Sequence, residues 1–227
     1  MADRDHIVRG VNATTTGSWH VRRIGHRGAM GHAPENTVES FEKAIALGCD
    51  EIETDVWLID GEHLLISHDR PSPGVSALSL DDVLDLCRGR IAVNVEMKDE
   101  ADEDHARRTG SLVAARIGAR DEPSAMVSSF WWGALAGARE GAPAVRRGFI
   151  FSGSPDGHAL LASAQTLGLW AIHPNYVYVT AEMVEAAHAA SLQVNTWTAN
   201  EPADIARLVA LRVDGIMSNW PERVPKG

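Results

Sequence analysis

Residues 51–69 read Glu51-Ile52-Glu53-Thr54-Asp55-Val56-Trp57-Leu58-Ile59-Asp60-Gly61-Glu62-His63-Leu64-Leu65-Ile66-Ser67-His68-Asp69. The apolar run over 51–58 predicts a strand, and Glu53 and Asp55, two residues apart, fall on one face of it. Asp60-Gly61 is a strong two-residue hairpin signal, so 63–67 returns antiparallel to the strand before it. That return carries His68 back to the level of the two carboxylates. Polar residues gathered at strand ends are how a barrel or α/β enzyme presents its chemistry.

The same grammar extends outward in both directions. Upstream, a strand over 21–25 ends in His26-Arg27-Gly28, and Pro34-Glu35-Asn36-Thr37 leads into a helix with Thr37 or Ser40 as its cap and Gly48 as its stop. Downstream, Ser79-Leu80-Asp81-Asp82 opens a capped segment, and a strand over 91–97 delivers Glu96 and Lys98, again two apart. Strands over 125–128, 149–151, 169–173, 194–198 and 214–218 then alternate with helical segments, the last of them opened by Pro202 at the first-turn position that proline tolerates. Setting the hairpin's return strand aside leaves eight strands, most followed by a helix. Such alternation implies parallel strands with right-handed crossovers, and eight units closing on themselves make a (β/α)8 TIM barrel. The competing open doubly wound sheet lacks its Gly-x-Gly-x-x-Gly turn.

Length and composition agree with one such domain. The chain has 227 residues, 44% hydrophobic and 23% charged, with no repeat or linker to mark a second domain. Residues 1–20 read as a flexible arm and 21–227 as the barrel. A net charge of −10 argues against a general nucleic-acid role but leaves room for a phosphorylated substrate in a cleft lined by Arg and Lys. No apolar run reaches the ~20 residues of a membrane span, and no signal peptide is evident, so a cytoplasmic location is expected. Cys49 and Cys87 have no metal-ligand spacing and read as buried thiols.

On a barrel, strand ends share one rim, so His26, Arg27, Glu53, Asp55, His68, Glu96 and Lys98 converge. Two carboxylates ~4 Å apart repel by about 4 kcal/mol at an effective dielectric of 20, so three need protons or a cation. Oxygen ligands suit a hard divalent cation, Mg2+ or Ca2+. The alternative is a structural ion-pair network with Arg27 and Lys98. An arginine fork, a lysine point charge and a cation together trap a phosphoryl group, and two flanking histidines supply a general acid and a general base. The implied reaction is hydrolysis of a phosphate ester.

The ordered set His26-Arg27-Gly28, Pro34-Glu35-Asn36-Thr37, Glu53-Thr54-Asp55-Val56, Asp60-Gly61, His68-Asp69 and Glu96-Met97-Lys98 resembles the signature series of the glycerophosphodiester phosphodiesterases. The likeness continues through Ser129-Phe130, the stretch from Val194 to Asn200, and Asp214-Gly215-Ile216 before Pro221. The resemblance implies a TIM barrel that cleaves glycerophosphodiesters to glycerol 3-phosphate and an alcohol. It implies Glu53, Asp55 and Glu96 as metal ligands, and His26 and His68 as the acid/base pair. Arg27 and Lys98 would then bind phosphate, and Trp197 would wall the substrate. Phospholipase D-type cleavage of lysophospholipids, with Trp131, Trp132, Tyr176 and Tyr178 as an apolar rim, and a non-catalytic phosphate-binding barrel are the rival readings. Three departures stand out. Ser218-Asn219 replaces the usual Thr-Asp, which is expected to touch stability or rim polarity more than the reaction. Ser191 and Arg212 occupy usual glycine positions, and the stretch over 69–91 is short where the family typically inserts a longer cap.

Overall fold

A computed structural model describes residues 19–72, 74, 76–99, 102–120 and 124–226. The arm expected over 1–20 lies, apart from Trp19 and His20, outside the described residues. The strands are β1 (Arg22–Gly25), β2 (Glu51–Ile59), β3 (His63–Ile66), β4 (Ala92–Met97), β5 (Ala125–Ser129), β6 (Arg146–Phe151), β7 (Ala171–Pro174), β8 (Gln193–Thr196) and β9 (Gly215–Ser218). Between them run α1 (Val38–Ala46), α2 (Leu80–Cys87), α3 (Glu103–Ala119), α4 (Trp132–Gly141), α5 (Gly157–Leu167), α6 (Ala181–Ala189) and α7 (Pro202–Ala210). β1 pairs in parallel with both β2 and β9, and the sheet order β1-β9-β8-β7-β6-β5-β4-β2 therefore closes into an eight-stranded parallel barrel. β3 lies outside the barrel, antiparallel to β2, with Val56 opposite Ile66.

Local chemistry sets these boundaries. The Thr37 hydroxyl accepts from the Ser40 N–H at the start of α1, and Ser79 and Asp82 form a reciprocal capping box on α2. Asp60 and Gly61 both have positive φ, 51° and 78°, the pair that a type I′ hairpin turn requires. α2 is the barrel's own helix, and the loop before it folds back on β3 through an Ile66 N–H to Leu78 carbonyl bond. No independent cap forms over 69–91 among the described residues.

The hydrophobic core is the layer between sheet and helices. Ile52, Val56, Val93, Val95, Val127, Ile172, Val194 and Ile216 point outward into it and pack with Phe41, Leu84, Val113, Leu135 and Leu208. Both faces of β2 are therefore buried, in contrast to a half-exposed strand, as a parallel sheet under helices demands. The barrel interior differs from the usual layers of branched apolar residues. Register neighbours share a face, so the pairs Glu53–Asn94, Glu96–Ser128 and Asn195–Gly215 place a polar column inside the barrel.

The expected apolar rim is corrected. Trp131, Trp132 and Tyr176 pack against the core, with Trp132 stacked on Phe149 at 3.8 Å, and only Tyr178 of the four is exposed. Cys49 and Cys87 form no disulfide. Burial pushes the Cys49 thiol up to about 12, which suppresses its thiolate. No described helix is long and apolar enough to cross a membrane.

Candidate active site

The C-terminal ends of β1, β2 and β4 bring the charged residues together. After β1 the chain turns through Arg27 and Gly28 with φ of 49° and 84°, and a Cβ at Gly28 would stand 2.3 Å from the Ser40 hydroxyl oxygen. Only glycine permits this approach of the loop to α1. The turn aims the Arg27 N–H at Glu53 Oε2, 2.9 Å away. The Arg27 guanidinium donates to Glu35 Oε2 at 2.6 Å and lies 3.3 Å from Asp55 Oδ2. Lys98 Nζ donates to Glu96 Oε1 at 2.8 Å and sits 3.4 Å from Asp55 Oδ1. Asn36 donates to Asp55 Oδ2 at 2.9 Å and accepts from the Thr54 hydroxyl.

Glu53, Asp55 and Glu96 each offer one carboxylate oxygen, and these atoms all lie within 4.8 Å of one another. Glu53 Oε1 and Asp55 Oδ1 are buried without a hydrogen-bond partner. Burial, then repulsion from Asp55 and Glu96, holds the Glu53 carboxyl well above the usual carboxylate range. Burial and Asp55 also raise Glu96, against the pull of Lys98. Burial opposes the charge on Lys98, but Glu96 and Asp55 more than offset it and raise its pKa. Orphaned buried oxygens on mutually repelling carboxylates fit a hard divalent cation, which all-oxygen donors prefer. Asp55 Oδ1 also has Lys98 Nζ at 3.4 Å, so Glu53 Oε1 is the oxygen of the cluster that the ion pairs leave uncompensated.

The two histidines sit in contrasting environments. His26 is mostly buried, with its side chain 15% exposed; its Nδ1 is 2.6 Å from Asn219 Oδ1, and its Nε2 is 3.9 Å from Glu53 Oε2. Burial and the Arg27 charge hold its pKa down, to about 4, against the Asn219 hydrogen bond. His68 is half-exposed, with Nδ1 2.9 Å from Asp69 Oδ1. The hairpin positions it: the Ser67 N–H donates to the Asp55 carbonyl, and the Trp57 indole donates to the His68 carbonyl.

A cavity of about 210 Å3 joins these groups to the opposite side of the barrel, lined by His26, Arg27, His68, Glu96 and Lys98 on one side and Phe130, Ile150, His173, Trp197, Thr198 and Met217 on the other. Trp197 is held by its indole N–H to the His173 carbonyl at 2.7 Å and by an edge contact with Phe130 at 5.5 Å. Of the residues read from sequence, His26, Arg27, His68, Glu96, Lys98 and Trp197 line this cavity, and Glu53 and Asp55 complete the carboxylate cluster behind it. Asn219 was read as a matter of stability or rim polarity, yet it contacts His26 directly. The departure of Ser218-Asn219 from the usual Thr-Asp is the signal that marks it in the sequence. His173 was not singled out, because one histidine at the end of an apolar run looks like core.

Fold and site together define a barrel enzyme with an acidic mouth suited to phosphate esters. The model of the glycerophosphoryl diester phosphodiesterase family matches residues 26–88 and 78–223. A glycerophosphodiester phosphodiesterase of Caldanaerobacter subterraneus subsp. tengcongensis is 28% identical, covering 88% of this chain and 94% of the relative. Among solved structures, a Silicibacter pomeroyi protein assigned to the same family is 26% identical, with a TM-score of 0.79 and 92% of each chain covered. An Oleispira antarctica phosphodiesterase, solved with its product sn-glycerol-3-phosphate, is 23% identical with a TM-score of 0.77, covering 88% of this chain and 94% of that one. The chain belongs to the glycerophosphoryl diester phosphodiesterase family, whose members hydrolyse glycerophosphodiesters.

Proposed function

We propose that this protein cleaves glycerophosphodiesters to glycerol 3-phosphate and an alcohol, using a divalent cation, Mg2+ or Ca2+, with His26 and His68 as the acid/base pair. The observation that carries the reading is the cluster of Glu53, Asp55 and Glu96 within 4.8 Å, with orphaned oxygens, beside two histidines. These carboxylates would hold the cation, which when bound supplies positive charge to the phosphoryl oxygens.

The chain's own groups divide the remaining work. Arg27 and Lys98 face the phosphoryl oxygens, both already charged and already oriented by Glu35, Asp55 and Glu96. With the Asn219 amide oxygen turned to the ring, His26 donates from Nδ1 and Nε2 keeps its lone pair. Burial keeps that ring neutral, which suits a general base. The attacking water gives a proton to His26 Nε2 as its oxygen bonds to phosphorus. The bond from phosphorus to the leaving oxygen breaks, and that oxygen takes a proton from His68. Two like groups with different environments thereby take opposite roles.

Phe130, 42% exposed at the edge of the cavity, favours a second reading in which the glycerol portion carries an acyl chain, as in a lysophospholipid, and the headgroup is the alcohol released. Product analysis with glycerophosphocholine and a lysophosphatidylcholine tests both. Choline and glycerol 3-phosphate from the first substrate support the proposal. Turnover of the lysophospholipid alone would shift the assignment to the second reading, and no turnover of either would overturn both.

A further inference from the structure

The polar column inside the barrel contains a hydrogen-bonded chain that begins at the base and ends at the cavity. Arg22 Nη1 donates to Glu51 Oε2 at 2.7 Å, and Arg22 Nη2 donates to Asn195 Oδ1 at 2.7 Å. Asn195 Nδ2 then lies 3.1 Å from His173 Nε2. A guanidinium has donors only, so the oxygen of the Asn195 amide must face Arg22 and its nitrogen must face His173. An amide nitrogen also only donates, so His173 Nε2 must accept and the ring proton must sit on Nδ1. Each link fixes the next.

Asn195 and His173 are fully buried, and Nδ1 has no hydrogen-bond partner. The ring lines the catalytic cavity. Gly148 makes room for it, since a Cβ there would stand 2.6 Å from Nε2. A buried N–H without a partner is costly, and its presence at a cavity wall points to an absent acceptor. Burial and the Arg22 charge hold the His173 pKa down, to about 3, so the ring is a neutral donor.

We infer that the Glu51–Arg22–Asn195–His173 chain locks His173 as an Nδ1–H donor to a hydroxyl oxygen of the substrate's glycerol portion. The choice of a hydroxyl follows from the surroundings. Arg27, Lys98 and the carboxylates serve the phosphoryl group from the other side of the cavity, while Ile150, Trp197 and Met217 beside His173 suit carbon. A neutral donor among apolar walls matches a neutral oxygen on a short carbon chain. His173 is then a specificity residue, and Arg22 and Asn195 are positioning residues that act through it. The inference rests on the reading given under Proposed function.

Imidazole 15N NMR on the full chain, with sn-glycerol 3-phosphate and inorganic phosphate titrated at one fixed Mg2+ concentration, tests it. The wild type is expected to show His173 protonated on Nδ1 and to prefer glycerol 3-phosphate over phosphate by about three- to tenfold, the worth of one hydrogen bond. Asn195→Asp is isosteric and keeps the Arg22 partner, but it presents an acceptor to Nε2. It should move the proton to Nε2 and leave Nδ1 able only to accept, so the hydroxyl must turn its own proton toward the ring and the preference should fall, while phosphate affinity stays within about twofold, since no phosphoryl contact changes. Should that variant fail to fold, His173→Asn, which places an amide donor near the Nδ1 position, should keep the preference, and His173→Leu should lose it. An Nδ1 proton or a preference unchanged in Asn195→Asp overturns the inference, as does an equal loss of phosphate affinity. If these results hold but glycerophosphocholine is not cleaved, the reaction assignment fails and the subsite stands; cleavage with an unchanged Asn195→Asp variant fails the subsite alone.

Discussion

The two halves of the barrel mouth are built on different principles. On the β1–β4 side every group that faces the cavity is charged or titratable, and each is tied to another: Arg27 to Glu35 and Asp55, Lys98 to Glu96 and Asp55, His26 to Asn219. On the β5–β9 side the lining is Phe130, Ile150, Trp197, Thr198 and Met217, with His173 as the one titratable group. The first half concentrates carboxylates at a free-energy cost that Arg27 and Lys98 offset in part and that a bound divalent cation would relieve further. The second half is shaped and neutral. On the proposed function, reaction and recognition divide across the barrel, and substitutions should divide in the same way.

The largest effects belong to the charged half. His26→Ala and His68→Ala should each lower kcat by about 10²–10⁴ without unfolding the protein. Trp197→Ala should instead act mainly by raising KM, because it removes a wall that touches ground state and transition state alike. Steady-state kinetics of the three variants checks the split, and a Trp197→Ala loss concentrated in kcat would break it.

Within the carboxylate cluster the comparison can be made sharper. Asp55 is the shared partner of Arg27, Lys98 and Asn36, so Asp55→Asn should destabilise the cation-free protein, by about 3 kcal/mol on the scale of broken buried pairs. Glu53 has one orphaned oxygen and two repelling neighbours, so Glu53→Gln should stabilise the same form. Denaturant unfolding in excess chelator reads both signs. Loss of stability in both variants would return the cluster to a structural network.

Asn219 tests how the halves meet, since β9 delivers it to His26. With a neutral amide partner the His26 pKa is depressed to about 4. A base acts in its neutral form, so His26 itself should contribute a fall in rate only near that low value, beneath any loss of the cation through protonation of Glu53 and Glu96. Asn219→Asp places a carboxylate against Nδ1, favours the imidazolium, and should move the acid limb of the kcat/KM profile to higher pH. An unmoved limb would remove His26 from the role of base.

Much of this was legible in the chain because certain residues carry their geometry with them. Asp60-Gly61 specifies a hairpin turn wherever it occurs between apolar runs, and from it the placement of His68 follows. Glu53 and Asp55 share a face because strands have a period of two. The His26–Asn219 contact was hidden, since it joins residues 193 apart and depends on β1 and β9 closing the barrel. The interior column was hidden for a related reason. Asn94, Ser128 and Asn195 each look like an ordinary polar residue within an apolar strand, and only closure turns them toward one another. Ser191 and Arg212 were visible as substitutions for glycine, and both have positive φ, 61° and 62°. The smallest expected effect lies there: Ser191→Gly should stabilise by about 0.5–1 kcal/mol through relief of left-handed strain, partly offset by unfolded-state entropy. Thermal unfolding with activity unchanged is the check, and a lower Tm would contradict it.

The claim on which the rest depends is that the charged half needs a cation to work. Exhaustive chelation of the 227-residue chain, followed by addition of Mg2+ or Ca2+, with release of glycerol 3-phosphate from glycerophosphocholine as the readout, tests it directly. The account predicts that turnover disappears on chelation and returns with the cation, and that Glu53→Gln requires more cation than the wild type for the same rate. Full turnover after exhaustive chelation would contradict it.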